Sequence, residues 1–103
     1  MRIVRFVIDA QQFDRISRAL ADSTRFAVLE RIASQDEVSC SDLAAVCEVS
    51  PPTISHHLKE LSAAGLLDAR REAKYIFHSL RRDVWTAYLE ALEKRIPRTR
   101  KKR

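Results

Sequence analysis

Residues 49–67 read VSPPTISHHLKELSAAGLL, and this stretch decides the fold. Ser50 is a residue type that caps helix N-termini, and Pro51 follows at the first helical position, where a missing N–H costs nothing. Gly65, the only glycine of the chain, stands where a helix commonly ends in a left-handed residue. Between them, three apolar residues recur at helical spacing and form one stripe: Ile54, Leu58 and Leu61. The pattern predicts a helix that begins after Ser50 and ends at Gly65.

A shorter helix is predicted just before this one. Ser39 and Asp42 have the spacing of a capping box, with Asp in place of Glu, and open a helix over residues 41–48. The apolar residues of that helix are Leu43, Ala44 and either Val46 or Cys47. With a turn at Val49-Ser50, the two helices form a helix-turn-helix.

The spacing of the apolar residues changes after Gly65 from a helical period to an alternation. Apolar or small residues then alternate with polar ones: Leu67, Ala69, Tyr75, Phe77 and Ser79 interleave with Arg70, Lys74 and His78. Such alternation predicts two short strands, here around a tip at residues 71–73. A hairpin in this place makes the helix-turn-helix winged.

Amphipathic helices flank this unit. From residue 10, one helix carries Phe13, Ile16 and Leu20, and after Asp22-Ser23 a second carries Phe26, Leu29, Ile32 and Ala33 on one face. A last helix from Arg82 carries Trp85, Leu89, Leu92 and Ile96 along one side, with Tyr88 beside them and Pro97 as its stop. The predicted fold is mainly α with a small β-hairpin wing, a winged helix-turn-helix. We divide the chain into an extension (1–9), the winged domain (10–96) and a basic tail (97–103).

Length and composition restrict the classes of protein. The chain has 103 residues, 46% of them apolar and 32% charged, which fits one small globular domain. A single Gly and three Pro exclude collagen-like, linker-rich and most all-β proteins. Apolar runs are far shorter than the ~18 residues of a membrane span, and two Cys without a signal peptide favour a reducing compartment. We expect a cytoplasmic protein with no membrane partner.

Positive charge is concentrated in two places. Seven of the nineteen basic residues lie in residues 94–103, which hold no acidic ones, so the rest of the chain has twelve basic against fourteen acidic residues. Residues 50–82 nevertheless hold six basic and three acidic side chains. A basic segment within a mildly acidic body is suggestive of phosphate contact.

The outer face of the helix after Ser50 is suited to reading DNA. With Ile54 pointing to the core and ~100° per residue, Pro52, His56 and Lys59 point away from the core, and Thr53 and Ser55 flank them. Short hydroxyl and imidazole groups near a helix N-terminus can reach base edges and phosphates in a major groove.

The adjacent histidines are predicted to have different roles. His57 lies only about 60° from the core direction, which favours a packing role, whereas His56 points outward and contacts either solvent or DNA. The helix sends the two rings in different directions and no third ligand is near, so the pair predicts no zinc site.

Three stretches together resemble the ArsR-type winged-helix repressors: ALADSTRFAVLERI (19–32), SDLAAVCEVSPPTISHHLKELSAAGLL (41–67) and DARREAKYIFHSL (68–80). The resemblance covers roughly residues 10–92. It implies a cytoplasmic homodimeric repressor that binds an operator of two inverted half-sites. It also implies DNA contacts from Thr53, Ser55 and His56, and from the wing near Arg71 and Lys74.

Two sets of candidate residues follow. The candidate DNA-binding residues are Ser50, Thr53, Ser55, His56, Lys59, Arg70, Arg71 and Lys74. The candidate dimer-interface residues, on the first and last helices, are Phe13, Ile16, Leu20, Trp85, Leu89 and Leu92. The alternative is that these two apolar stripes close the core of the monomer. Some of the residues must pack in the core and others in the dimer interface.

The cysteines are not expected to form the metal site known in the resembled family. Its Cys-x-Cys pair corresponds to Ser39 and Ser41, with Cys40 between them, and a second family site needs His on the last helix, where residues 82–96 have none. We therefore predict no metal and no cofactor. Cys40 and Cys47 are either small packing residues or candidate thiol sensors, with Cys40, beside the helix cap, the better candidate.

Two other functions are weighed against DNA binding. A winged helix used for protein–protein contact would carry an apolar or acidic outer face. The helix after Ser50 has a polar outer face instead. An enzyme is disfavoured because no nucleophile–base pair, Gly-rich phosphate loop or paired-carboxylate site is recognisable.

Overall fold

The computed structural model describes residues 6–100, so part of the predicted extension (1–5) and part of the predicted tail (101–103) lie outside the described residues. The elements in chain order are α1 (Ala10–Leu20), α2 (Ser23–Ala33), β1 (Val38–Ser39), α3 (Cys40–Cys47), α4 (Pro51–Ala63), β2 (Leu67–Glu72), β3 (Tyr75–Leu80) and α5 (Arg82–Arg95). The predicted helix-turn-helix (α3–α4) and the following hairpin are both confirmed. No helix in the described part of the chain is long and apolar enough to cross a membrane.

Side-chain caps set where the first four helices begin. The side-chain oxygens of Asp9, Asp22, Ser39 and Ser50 each accept a hydrogen bond from the backbone N–H three residues later. Each bond satisfies one of the donors that a helix N-terminus leaves unpaired. The cap predicted at Ser39 is confirmed, although α3 begins at Cys40, one residue earlier than expected.

The apolar stripe of α4 anchors this helix in the core. The stripe residues Ile54, Leu58 and Leu61 are buried. They are buried together with one large residue from each of the four remaining helices and from the α4–β2 turn: Ile16, Ile32, Leu43, Val84 and Leu66. His57 is buried beside the stripe, as predicted for a packing residue. Gly65 has a φ of +83°, so it ends the helix in the left-handed conformation that its position predicted.

The sheet has a strand that the sequence did not reveal. β1 pairs antiparallel with β3, with Val38 opposite His78, and the strand order is β1-β3-β2. β3 is therefore central, and His78 is only 9% exposed. The alternation in the sequence places His78 among the polar residues of the hairpin, and that prediction is wrong because β3 is the central strand of a three-stranded sheet, where His78 pairs with Val38.

Two other positions differ from the sequence prediction. The last pair of the hairpin is Glu72 with Tyr75, so the turn is Ala73-Lys74 and the tip lies later than residues 71–73. Phe26, predicted on the buried face of α2, is 39% exposed. The buried face of α2 is instead formed by Val28, Leu29 and Ile32.

The hairpin turn stores backbone strain that a single substitution should relieve. Ala73 has a φ of +53°, a conformation that its Cβ disfavours. We expect Ala73→Gly to raise the free energy of unfolding by ~1 kcal/mol, measured by urea denaturation. Ala69→Gly in the adjoining strand β2 is the matched control and should lower it. Equal destabilisation by both substitutions would contradict a strained turn.

Candidate nucleic-acid interface

The outer face of α4 is a continuous polar surface. We call this surface the reading face; its residues are Thr53, Ser55, His56 and Lys59. All four are exposed because the stripe on the opposite side of the helix is buried. The face begins in the first turn of α4, where the helix dipole favours negative charge. It therefore combines hydrogen-bonding side chains with a site suited to phosphate.

Ser50 has a structural role at the start of this face. Its Oγ accepts a hydrogen bond from the backbone N–H of Thr53 at 3.4 Å, and the two side-chain hydroxyls lie 2.9 Å apart. Ser50 thus fixes the N-terminus of α4 and positions the Thr53 hydroxyl. A helix N-terminus held in this way keeps its remaining N–H groups directed at a bound anion.

Ion pairing separates Arg70 from the other candidate DNA-binding residues. Its guanidinium donates hydrogen bonds to both carboxylate oxygens of Glu37 and to Glu72, and it lies over the ring of Phe77 at 4.9 Å. These partners raise the pKa of Arg70, and the guanidinium lowers the pKa of the Glu37 carboxyl. The charge of Arg70 is therefore balanced within the protein, so Arg70 is not among the proposed DNA contacts.

Arg71 and Lys74 are placed differently on the wing, which we define as β2, β3 and their turn. Arg71 is exposed and has no ion-pair partner among residues 6–100. Lys74 is exposed in the turn itself, with its Nζ 5.5 Å from the centre of the Tyr75 ring. Both cations are free to contact phosphate.

Ion pairs also reduce the positive charge counted from the sequence in residues 50–82. Arg81 donates a hydrogen bond to Asp83 at 2.9 Å, and Arg82 donates one to the carbonyl oxygen of Ala33 at 2.8 Å. Glu37, which balances Arg70, lies outside this segment, just before β1, so no local pattern pointed to it. In this segment, four cations have no ion-pair partner among residues 6–100: Lys59 on the reading face, Arg71 and Lys74 at the wing, and Arg82, whose bond to a neutral carbonyl leaves its charge unbalanced.

The two candidate dimer stripes have different environments. Phe13 and Ile16 are buried inside the subunit, and Ile16 is 0% exposed, so the α1 stripe closes the core, with Leu20 half-buried at its end. On α5 the buried residues are Val84, Ala87 and Tyr88. The predicted α5 stripe faces outward: Trp85 is half-buried, while Leu89, Leu92 and Ile96 are 47%, 37% and 78% exposed. We call these last three the α5 apolar face.

The positions that match the metal-binding cysteines of the resembled family hold two serines close together. The hydroxyls of Ser39 and Ser41 lie 3.3 Å apart at the start of α3. Cys40 and Cys47 are both half-buried and unbridged. Within residues 6–100, His, Cys, Asp and Glu side chains form no group of three or more that could hold a metal ion.

Comparison with known proteins places the chain in a family. Residues 20–70 match a helix-turn-helix domain family. An HTH-type transcriptional regulator of Bacillus subtilis is 34% identical over 79% of this chain and 82% of its own length. Several other curated relatives, named as repressors or as regulators of arsenic and cadmium resistance, are matched over only about half of their own length.

Solved structures agree with this assignment. An ArsR-like transcriptional regulator from Rhodococcus superposes with a TM-score of 0.75 at 26% identity, over 82% of this chain and 78% of that one. A homodimeric winged helix-turn-helix DNA-binding domain from Mycobacterium bovis shares the fold, with a TM-score of 0.69 at 21% identity over 97% and 99% of the two chains. The chain therefore belongs to the ArsR-type family of winged helix-turn-helix transcriptional regulators.

Proposed function

We propose that the protein is a homodimeric repressor that binds duplex DNA sequence-specifically through the reading face and the wing. The observation that carries the proposal is the exposed polar face of α4, opposite a fully buried apolar stripe and next to two unpaired wing cations. Relatives named as repressors support the regulatory role.

In this proposal α4 lies in the major groove. The hydroxyls of Thr53 and Ser55 and the imidazole of His56 contact base edges, which present a distinct donor and acceptor pattern for each base pair. Lys59, one turn further along the helix, contacts the phosphate backbone. The N-terminal turn of α4, capped by Ser50, adds backbone N–H donors for a phosphate.

The wing supplies contacts that do not depend on sequence. Arg71 and Lys74 lie at the end of the hairpin, with no carboxylate to balance them among the described residues. Contacts of this kind fix the register of the protein on the duplex and make its affinity depend on salt. Residues 98–103 of the basic tail add non-specific affinity in the same way, except for Arg98, whose charge is balanced by Glu93.

We further propose that the α5 apolar face forms the dimer interface, with Trp85 and Leu20 at its margin. The face borders a shallow depression between Leu89, Leu92 and Ile96, and Glu90, Glu93 and Arg98. The similar domain from Mycobacterium bovis is homodimeric. Because one helix enters one groove, two half-sites and two copies are needed for useful operator affinity.

We propose that the protein does not sense metal through the family's cysteine pair. Ser39 and Ser41 hold those positions, and neutral hydroxyls are poor ligands for the soft metals that thiolates bind. Docking to another protein is less well supported, because the exposed side of α4 is polar, with Lys59 and Glu60 as its charged residues.

The reading face and the wing should respond differently to alanine substitution. We expect His56→Ala to weaken operator binding by about 1–3 kcal/mol while leaving random DNA unaffected. Lys74→Ala should weaken binding to all sequences alike and reduce the slope of log K against log salt by about one unit. Fluorescence anisotropy across a salt series measures both effects, with Lys94→Ala on α5 as control. If neither substitution alters binding, the interface is wrongly placed.

Removal of Glu37 should add a DNA contact. Glu37→Gln removes one of the two carboxylates that hold the guanidinium of Arg70 and leaves Glu72 as its remaining ion-pair partner, so we expect tighter binding to random duplex DNA and a salt slope that is steeper by less than about one unit. Asp36→Asn makes the same change of charge at a neighbouring exposed carboxylate and is the matched control. Equal effects of the two substitutions would show that only net charge matters and that the Glu37–Arg70 pair does not restrain Arg70.

The α5 apolar face should control the oligomeric state. We expect Leu89→Glu to yield monomers at micromolar concentration, because a charge would be buried without a partner in the interface. Lys94→Glu, on the other exposed side of α5, should remain dimeric. Sedimentation velocity separates the two states, and a wild type that is itself monomeric would contradict the proposed interface.

A further inference from the structure

A cavity of about 280 Å³ lies between α3, α4 and the wing. Its lining includes Cys40, Ser55, Lys59, Ser62, Ile76 and His78. Two of these residues, Ser55 and Lys59, belong to the reading face, so whatever occupies the cavity also contacts the proposed DNA-binding surface. Its wall combines a thiol, two hydroxyls, an ammonium and an imidazole with an apolar side.

Cys40 is placed at the point where the cavity meets α4. It is the first residue of α3 and half-buried, and its Sγ lies 4.0 Å from the Oγ of Ser55. A group added to this sulfur has to enter the cavity or displace the Ser55 side chain. Cys47 lies seven residues further along α3, about 10.5 Å away on the axis, which is too far for a disulfide with Cys40. Chemistry at Cys40 is therefore the addition of an external group.

His78 provides an independent indication that the cavity receives a ligand. Its ring lines the cavity and is 9% exposed, and its Nδ1 atom has no hydrogen-bond partner. Burial lowers the pKa of His78, so the ring is neutral near pH 7. A buried polar atom without a partner costs free energy, and a group bound in the cavity would supply the missing hydrogen bond if the His78 ring turns to present Nδ1 to it.

We propose that Cys40 is a modification site for small α,β-unsaturated carbonyl compounds, and that the adduct weakens DNA binding. The apolar side of the cavity, formed by Ile76 and Leu58, fits the carbon skeleton of such a compound. Its carbonyl oxygen fits the polar side, where Lys59 supplies a positive charge. This inference rests on the proposed function, because DNA release is its consequence.

The addition of the thiol to such a compound requires no oxidant and no reductant. The sulfur of Cys40 attacks the β-carbon and forms a carbon–sulfur bond, while the π electrons of the C=C bond move toward the carbonyl oxygen. The ammonium of Lys59 stabilises the negative charge that develops on that oxygen. The thiol proton ends on the α-carbon, so S–H is added across the double bond. The adduct then crowds Ser55 and holds Lys59 away from phosphate.

The chain permits a test in which each thiol is the control for the other. Cys47→Ser retains only Cys40, Cys40→Ser retains only Cys47, and the probe is N-ethylmaleimide, an unsaturated cyclic imide. Intact-mass spectrometry measures the rate of adduct formation, and anisotropy with duplex DNA measures binding before and after modification. Ser62→Leu in the Cys47→Ser background narrows the cavity and should slow the reaction.

We expect Cys40 to react about tenfold faster than Cys47, since its sulfur opens into a cavity that stabilises the charge of the reaction. The Cys40 adduct should bind DNA about tenfold more weakly or worse, as expected for a group forced against a packed helix. The Cys47 adduct should bind DNA normally. In NMR spectra, the imidazole signals of His78 should shift with the Cys40 adduct and not with the Cys47 adduct.

The outcomes separate this inference from the proposed function. If untreated protein does not bind duplex DNA, the proposed function fails, while the rates and the His78 signals still test the site. If Cys40 reacts no faster than Cys47, or if the Cys40 adduct leaves the His78 signals unchanged, the modification site is overturned. If the Cys40 adduct binds DNA as tightly as untreated protein, the regulatory consequence is overturned.

Discussion

The burial of Ile54, Leu58 and Leu61 fixes how α4 is rotated about its own axis, and every functional surface of the molecule depends on that rotation. Burying each of these side chains is worth ~1.5–3 kcal/mol, whereas an exposed polar pair contributes ~1 kcal/mol or less. The apolar stripe therefore decides which residues of α4 face outward, and the polar residues follow. A rotation by one residue, about 100°, would bury Ser55 and expose the stripe.

Ion pairing then decides which outward-facing cations are available to a partner. Glu37 and Glu72 hold Arg70, and Asp83 holds Arg81, so neither side chain adds a free positive charge to the surface. Three cations that have no ion-pair partner among residues 6–100, Lys59, Arg71 and Lys74, lie on the reading face and at the wing. A count of charges along the sequence overstates the positive charge available at the interface, because it cannot include the carboxylates that folding brings next to the basic residues.

Periodicity showed which residues share a face but could not show what covers that face. The α1 and α5 stripes were equivalent in the sequence, yet the structure buries Ile16 in the core and leaves Leu89 exposed. Strong local signals, such as the Ser50 cap and Gly65, predicted α4 almost to the residue. The two-residue strand β1 was too short for a period, so the burial of His78 and the contact of Glu37 with Arg70, 33 residues apart, could not be anticipated.

The central claim is that two copies of α4 read two halves of one DNA site. Selection of binding sequences from a pool of random duplexes, followed by hydroxyl-radical footprinting of the enriched ones, tests it most directly. We expect an inverted repeat with two protected segments on one face of the duplex, centred about 10 base pairs or a multiple of that apart. Absence of an enriched sequence, or a single protected half-site bound by one subunit, would contradict it.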